Sequence, residues 1–479
     1  MTLSPKTLFR LAIGAILASL LFQVFQSEDG TFTSLPNTHV SCISHPSIHM
    51  THLPHKGYAR SGINLAIYRR HALLSVKDKQ LISYLGKSGE IRLVARTLTA
   101  EPDAEISIPN PMPSRMLGDG HQGINTGYSA DNFVHLIFGA HGTTPFYYRV
   151  QWPDLIVSKG NPTDLKLSSH LITYPQFYEF NNQLILLYRD DVAKTYGFSR
   201  YNVDSHEWQS WLTPLFITPD NVSSVYLNNL GIYGTTIAIA YTVRYPDTTN
   251  PQNPKVLNEH FRIIYSEDGG TIWRTSNGIQ LVLPIPALAP PVTINIPQEN
   301  TLINQAGAWL GADRIYRVAY YANDAHAIPQ IFVSEFDLVS QRIQTSQVTR
   351  RLESFALVGR GSLSLPISRP TIFEFLNRVI VIYRENDEVI AAWKSLDQMD
   401  SNWNHLKLCR GSLKNWEPII DFNQLARGYW SLFLQGAEQG NEDTIFDSEI
   451  ESDVILFDLS QEAIKTLMPI PRDGHWWKK

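Results

Sequence analysis

Four stretches of this chain open and close on side chains that handle charge and protons: His121 to His141, Tyr174 to Arg189, Tyr226 to Arg244, and Arg369 to Arg384. In an antiparallel hairpin the start of the first strand lies beside the end of the second, so each pair is expected to meet at one rim. Repeated side by side, the pairs would line one cavity with imidazole, phenol and guanidinium. A guanidinium holds a carboxylate through two parallel hydrogen bonds, and imidazole and phenol give and take protons, so the chemistry expected is proton transfer on an acidic substrate.

The elements that must position these groups are short strands. Asn132 to Phe138, Gln183 to Tyr188, Thr235 to Tyr241, Arg314 to Tyr320 and Arg378 to Tyr383 each follow a turn-forming cluster and are rich in β-branched and aromatic residues, as is the earlier Gln80 to Leu85. They recur roughly every 50 residues, the period of propellers and solenoids. A further unit around Trp416 to Leu434 and a last strand at Val454 to Phe457 complete the count. The fold expected is all-β, a seven-bladed β-propeller of four-stranded antiparallel blades over 58–479. Closure of the ring is expected from the segment after Asn64 or from the final strand, because an open blade would expose a sheet edge.

Composition fits a large globular body: 479 residues, 43% hydrophobic, with a formal net charge of -5. That mild acidity argues against a nucleic-acid surface, so an anionic partner needs a local basic pocket. Lys6 and Arg10 precede an apolar run from Leu11 to Phe25, shorter than the roughly 20 residues of a membrane span. Residues 1–27 are therefore read as a signal peptide or signal anchor and 28–57 as a linker. The expectation is an exported monomer, secreted, periplasmic or anchored to a membrane through this segment. Cys42 and Cys409 could pair in an oxidising compartment. Cys42, His45, His49, His52 and His55 are good zinc-ligand types, but Pro46 and Pro54 interrupt the stretch and favour a plain linker.

Ser266-Glu-Asp-Gly-Gly-Thr-Ile-Trp273 is the most specific local motif. It resembles the Asp-box of bacterial neuraminidase repeats, a structural hairpin in which Asp268 caps backbone donors. Gly269 and Gly270 permit positive φ, Ser266 opens the turn, and Trp273 anchors it on the blade. Asp204 to Trp208 reads as a degraded second copy.

With these residues in hand, the chain from about Tyr58 to Gln435 resembles the seven-bladed polysaccharide lyases of the ulvan lyase type. The resemblance is carried by Gly118-Asp-Gly-His121, Ala140-His141-Gly142, Thr173-Tyr174-Pro175 and Leu187-Tyr188-Arg189-Asp190. Asn258-Glu-His260, Asn304-Gln305, Ser368-Arg369-Pro370 and Trp416-Glu417-Pro418 extend it. It implies β-elimination on a uronate-containing polysaccharide, with His121, Tyr174, His141 and Arg189 as catalytic residues. Tyr226, Arg244, Asn258, His260, Asn304 and Arg369 would then contact substrate. No cofactor is required for this chemistry; a structural metal ion remains open. Gln122 and Gly120 depart from the family pattern and bear on substrate identity.

Each residue also has a plainer role open to it. His135 sits within a strand and is expected to be buried and hydrogen-bonded; Tyr188 is expected to pack. Arg189, Arg244 and Arg384 could cap strand ends through Asp190, Asp247 or Glu385. Two other functions share the architecture. A sialidase-like hydrolase would need an arginine triad and an Arg-Ile-Pro signature that this chain lacks. A non-catalytic glycan-binding propeller would have no use for His121 and Tyr174 together.

Overall fold

In the computed structural model, residues 32–34, 40–218, 223–359, 361, 363–396, 402–436 and 452–470 are described. Seven antiparallel sheets follow one another around a ring, as the rhythm of the sequence implies. Blade 1 consists of Leu73–Val76, Lys79–Leu85, Ile91–Thr97 and Pro102–Ile108. Blade 2 occupies 125–159, blade 3 172–210, blade 4 224–281, blade 5 308–347 and blade 6 371–411. Blade 7 is built from Tyr429–Gln435, Val454–Ser460 and, from the other end of the chain, Ile48–His52.

The apolar runs read from sequence are the second strands of their blades. Arg378–Glu385 is buried at every position but the last, and Gln183–Asp190 at every position but the first. A blade is covered on both faces by its neighbours, which is why these strands read as continuous apolar runs rather than alternating ones. The core accordingly lies between blades, as where Ile239 and Tyr241 of blade 4 pack with Ile185 and Leu187 of blade 3.

Ring closure corrects the reading of 28–57 as a linker. Ile48–His52 pairs along Val454–Ser460, and Val40–Ile43 pairs with Asn404–Gly411 at the outer side of blade 6. The final strand takes part in closure as expected, but its partner comes from before Asn64 rather than after it. A fully buried ion pair locks the seam: Arg96 Nη2 of blade 1 lies 2.7 Å from Asp458 Oδ1 of blade 7, with Gln80 and Thr51 accepting from the same guanidinium. Cys42 and Cys409 form a disulfide across 367 residues of sequence, which removes Cys42 from any zinc site. Among the described residues, His45, His49, His52 and His55 form no ligand cluster. The signal or anchor reading of 1–27 lies outside the described residues. No helix among the described residues is long and apolar enough to cross a membrane.

The Asp-box forms as its residues dictate. Asp268 Oδ1 accepts from Ser266 Oγ at 2.8 Å and from the backbone of Thr271 and Ile272 at 3.2 and 2.8 Å. Gly269 and Gly270 take φ of 74° and 87°, and the buried Trp273 donates Nε1 to the Gly270 carbonyl. The degraded copy is a turn capped by Asn202 rather than Asp204; Asn202 Oδ1 accepts from the backbone of Asp204 and Ser205.

Candidate active site

The loops that enter the innermost strands converge on one face of the ring. His121 is the middle residue of a short 3-10 turn, Gly120–Gln122, capped by Asp119, whose carboxylate accepts from the His121 backbone at 2.8 Å. His141 begins the short strand His141–Thr143, which pairs with Thr173 at the start of blade 3. Thr173 in turn stands opposite Arg189, so the ends of that hairpin meet as expected. The same holds for Tyr226–Arg244, where Ser224 is paired with Arg244, and for Arg369–Arg384, where the backbone of Ser368 donates to the Arg384 carbonyl.

Tyr174 sits where the register of blade 3 shifts between Thr173 and Gln176, at φ 56°. A positive φ in an aromatic residue is strained and persists where the surroundings demand it. The bulge turns this phenol into the ring centre. Its ring centroid lies 5.3 Å from His121, 6.4 Å from His141 and 6.1 Å from Tyr226. The Arg189 guanidinium stands 4.9 Å from the Tyr174 ring and 5.3 Å from the Tyr226 ring. His121, His141, Tyr174, Arg189 and Tyr226 are thus brought into one cluster.

Two members of the cluster were not singled out from the sequence. Tyr68 stacks on His121 at 4.5 Å and leans on Tyr174 at 5.1 Å. It lies in the loop that enters blade 1, as His121 lies in the loop that enters blade 2. Asp119 accepts from His121 Nδ1 at 2.9 Å and His141 Nδ1 at 2.5 Å, holding the two stacked imidazoles 4.2 Å apart. Ligand atoms of Asp119, His121 and His141 all lie within 4.8 Å of one another, a spacing and a set of donor types that could hold a metal ion.

Arg189 is held by Asp191, not Asp190: its Nε and Nη2 donate to Asp191 Oδ1 at 3.0 and 2.7 Å. Asp190 instead caps the next turn through the backbone of Val192 and Ala193. Nη1 of Arg189 is sealed from bulk solvent, and the Arg189 side chain also hydrogen-bonds the Tyr226 phenol. The electrostatics divide the two phenols. Burial, with Tyr226 and Tyr68 nearby, pushes Tyr174 well above its ordinary pKa of 10.0 despite Arg189. Burial also pushes Tyr226 up, but Arg189 and Arg244 outweigh it and bring Tyr226 below 10.0. The lowering of a phenol by arginine therefore falls on Tyr226 and not on Tyr174.

The remaining site candidates separate by what they touch. The Arg244 guanidinium makes no hydrogen bond or ion pair among the described residues and lies 5.9 Å from the Tyr226 ring. It lines an adjoining cavity with Asn304, Arg369 and Glu417. Arg369 donates to Glu417 and to the Asn304 carbonyl, each at 2.9 Å, and lies 5.2 Å from the Tyr68 ring. Glu417 also accepts from the Ile67 backbone at 2.9 Å, tying Arg369 to the segment that carries Tyr68. Arg384 spends its guanidinium on the carbonyls of Trp416, Leu365 and Asn386 and organises loops. His260 accepts from the Ile296 backbone, and Asn258 donates to the Leu302 carbonyl, so both brace loops outside the cluster. His135 is buried between Ser129 and Tyr147, and burial lowers its pKa to about 3. Tyr188 is fully buried.

Residues 79–347 match the BNR repeat-containing family, more than half of the chain. Among solved structures, a polysaccharide lyase of the PL25 ulvan lyase family shares the fold at 12% identity and TM-score 0.62, covering 87% of this chain and 100% of that one. A second structure of such an ulvan lyase, bound to a -[GlcA(1-4)Rha3S]- fragment, matches at 11% identity and TM-score 0.60, over 87% of this chain and 100% of that one. No curated protein sequence matches the chain.

Proposed function

From the premise that this chain belongs to the BNR repeat-containing family, we propose that it is a polysaccharide lyase that cleaves a uronate-containing, ulvan-like polymer by β-elimination. The observation that carries this reading is the convergence of an Asp-held imidazole, a protonated phenol and a buried guanidinium within a single cluster. The shared fold with ulvan lyases, one of them bound to a glucuronate-containing fragment, supports the substrate class.

The reaction must make the C5 proton of a uronate acidic and expel the oxygen at C4. Arg189 offsets the carboxylate charge through Nη1 while Asp191 fixes its fork, and Arg244 adds positive charge from the adjoining cavity. His121, oriented by Asp119 through Nδ1, presents Nε2 and takes the C5 proton. As the C5–H and C4–O bonds break and C4=C5 forms, Tyr174 gives its proton to the departing oxygen. Burial suits Tyr174 to the acid role, because it keeps the phenol protonated across the neutral range. His141 shares the Asp119 carboxylate and packs His121 into place. Asn304 and Arg369 line the path beside Tyr68 on which the chain of sugars would lie. Export completes the reading: an extracellular polymer needs an exported enzyme, and the Cys42–Cys409 disulfide suits an oxidising compartment.

The test is incubation of purified protein with ulvan, glucuronan and other uronate polymers while following ultraviolet absorbance of the C4=C5 double bond. A lyase gives a rising signal on at least one of them. Release of sugar without that absorbance would replace the reading with a hydrolase, and binding without either would replace it with a glycan-binding propeller.

A further inference from the structure

The segment Ala66 to Ala72 enters the middle of the ring and separates two spaces. Tyr68 faces His121 on the catalytic side. Two residues on, Arg70 and His71 face a cavity of about 380 Å³ at the opposite mouth, bounded by the far ends of the innermost strands at Val76, Tyr128, Glu179 and Leu310. That volume is in the range of roughly 300–1,000 Å³ usual for small-molecule sites.

Arg70 is the unusual group here. Its guanidinium lies 4.4 Å from the Tyr178 ring and 5.0 Å from the Phe422 ring, and no carboxylate pairs with it among the described residues. Nε and Nη1 are both sealed from solvent without a hydrogen-bond partner. The aromatic faces offset part of the charge, but a desolvated guanidinium with unmet donors is still unfavourable unless an anion completes it. His71 cannot compete for that anion as a cation: burial, with Arg70 beside it, lowers its pKa to about 3. Rings and aliphatic side chains make up most of the remaining wall, and the exposed Lys77 adds a second positive charge at its edge. Trp309 packs on Phe422 at 6.0 Å and offers an apolar face suited to the C–H side of a pyranose.

We propose that this cavity is a second, non-catalytic site for an acidic sugar unit, its carboxylate held by Arg70 and its ring laid on Trp309. The choice of sugar acid rests on the lyase reading; the presence of an anion site rests on Arg70 alone. Glu179, exposed at the mouth, sets the opposing charge and tunes affinity.

The probe is sodium glucuronate, titrated calorimetrically into the full chain, with glucose and sodium sulfate as controls. Arg189→Ala, which disables the catalytic mouth, retains glucuronate binding. Arg70→Met loses at least about ten-fold in affinity, the loss of one charge-assisted contact. Glu179→Gln, a surface change that leaves folding intact, tightens binding about two- to three-fold. Glucose gives no heat, and sulfate binds more weakly than glucuronate. Loss of all glucuronate binding in Arg189→Ala, or an unchanged isotherm in Glu179→Gln, would overturn the site; equal binding of sulfate would overturn the sugar. Because binding is read without turnover, an inactive protein that still binds through Arg70 would refute the lyase reading and leave this site standing.

Discussion

At the scale of single residues, the site assigns separate work to groups of similar type. On the proposed lyase mechanism, Tyr174→Phe removes the proton for the leaving oxygen and little volume, so kcat should fall by about 10²–10⁴ while KM changes little; steady-state kinetics check this, and near-normal turnover would sink the assignment. His121→Ala behaves the same way. The two phenols also titrate in a definite order. Tyr226 lies below 10.0 and Tyr174 well above it, so as pH rises Tyr226 ionises first and the adjacent arginines favour its anion. Ultraviolet titration of tyrosinate should show a component titrating below 10.0 in the wild type that Tyr226→Phe removes. His121, His141, Tyr174 and Arg189 were legible as candidates because polar residues at both ends of a hairpin recur in the sequence. Tyr68 and Asp119 were not, because nothing local shows that Ala66 to Ala72 enters the ring centre or that one carboxylate reaches two histidines.

At the scale of elements, local motifs behave as local physics demands. The Asp-box is closed by hydrogen bonds among residues 266–273, so Asp268→Ala costs about 1–2 kcal/mol of stability and leaves turnover unchanged; denaturant unfolding and an activity assay together check both halves. A large loss of activity would mean that this hairpin reaches the substrate. Strand positions were read well from apolar runs because blades are covered on both faces. Strand irregularities were not: the shift at Thr173 to Gln176 that aims Tyr174 has no composition signal beyond Pro175.

At the scale of the whole molecule, the ring is held by contacts between its two ends. Deleting residues 1–44 keeps Ile48–His52 and should leave a folded, less stable protein lacking the disulfide; deleting 1–57 exposes the edge of Val454–Ser460 and should give aggregation, which circular dichroism and gel filtration distinguish. Asp458→Ala leaves Arg96 buried without its counter-charge and should cost about 3–5 kcal/mol in chemical unfolding. A loss well under 1 kcal/mol would show that the seam draws its strength from elsewhere.

Features that depend on neighbours along the chain could be read from the residues alone: strand runs, their period of roughly 50 residues, the Asp-box, and hairpins whose ends carry reactive groups. Other features depend on groups far apart in the chain and follow only from the closed ring. The stretch before Tyr58 closes the ring because its partner, Val454–Ser460, lies at the other end of the chain. Arg384 organises loops while Arg189 faces the cluster, although both end similar hairpins, because burial and nearby carbonyls differ at the two places. Tyr226 rather than Tyr174 is the lowered phenol because two guanidinium groups, from blades 3 and 4, meet beside it. Charge and desolvation act through space, and space is set only once the ring is closed.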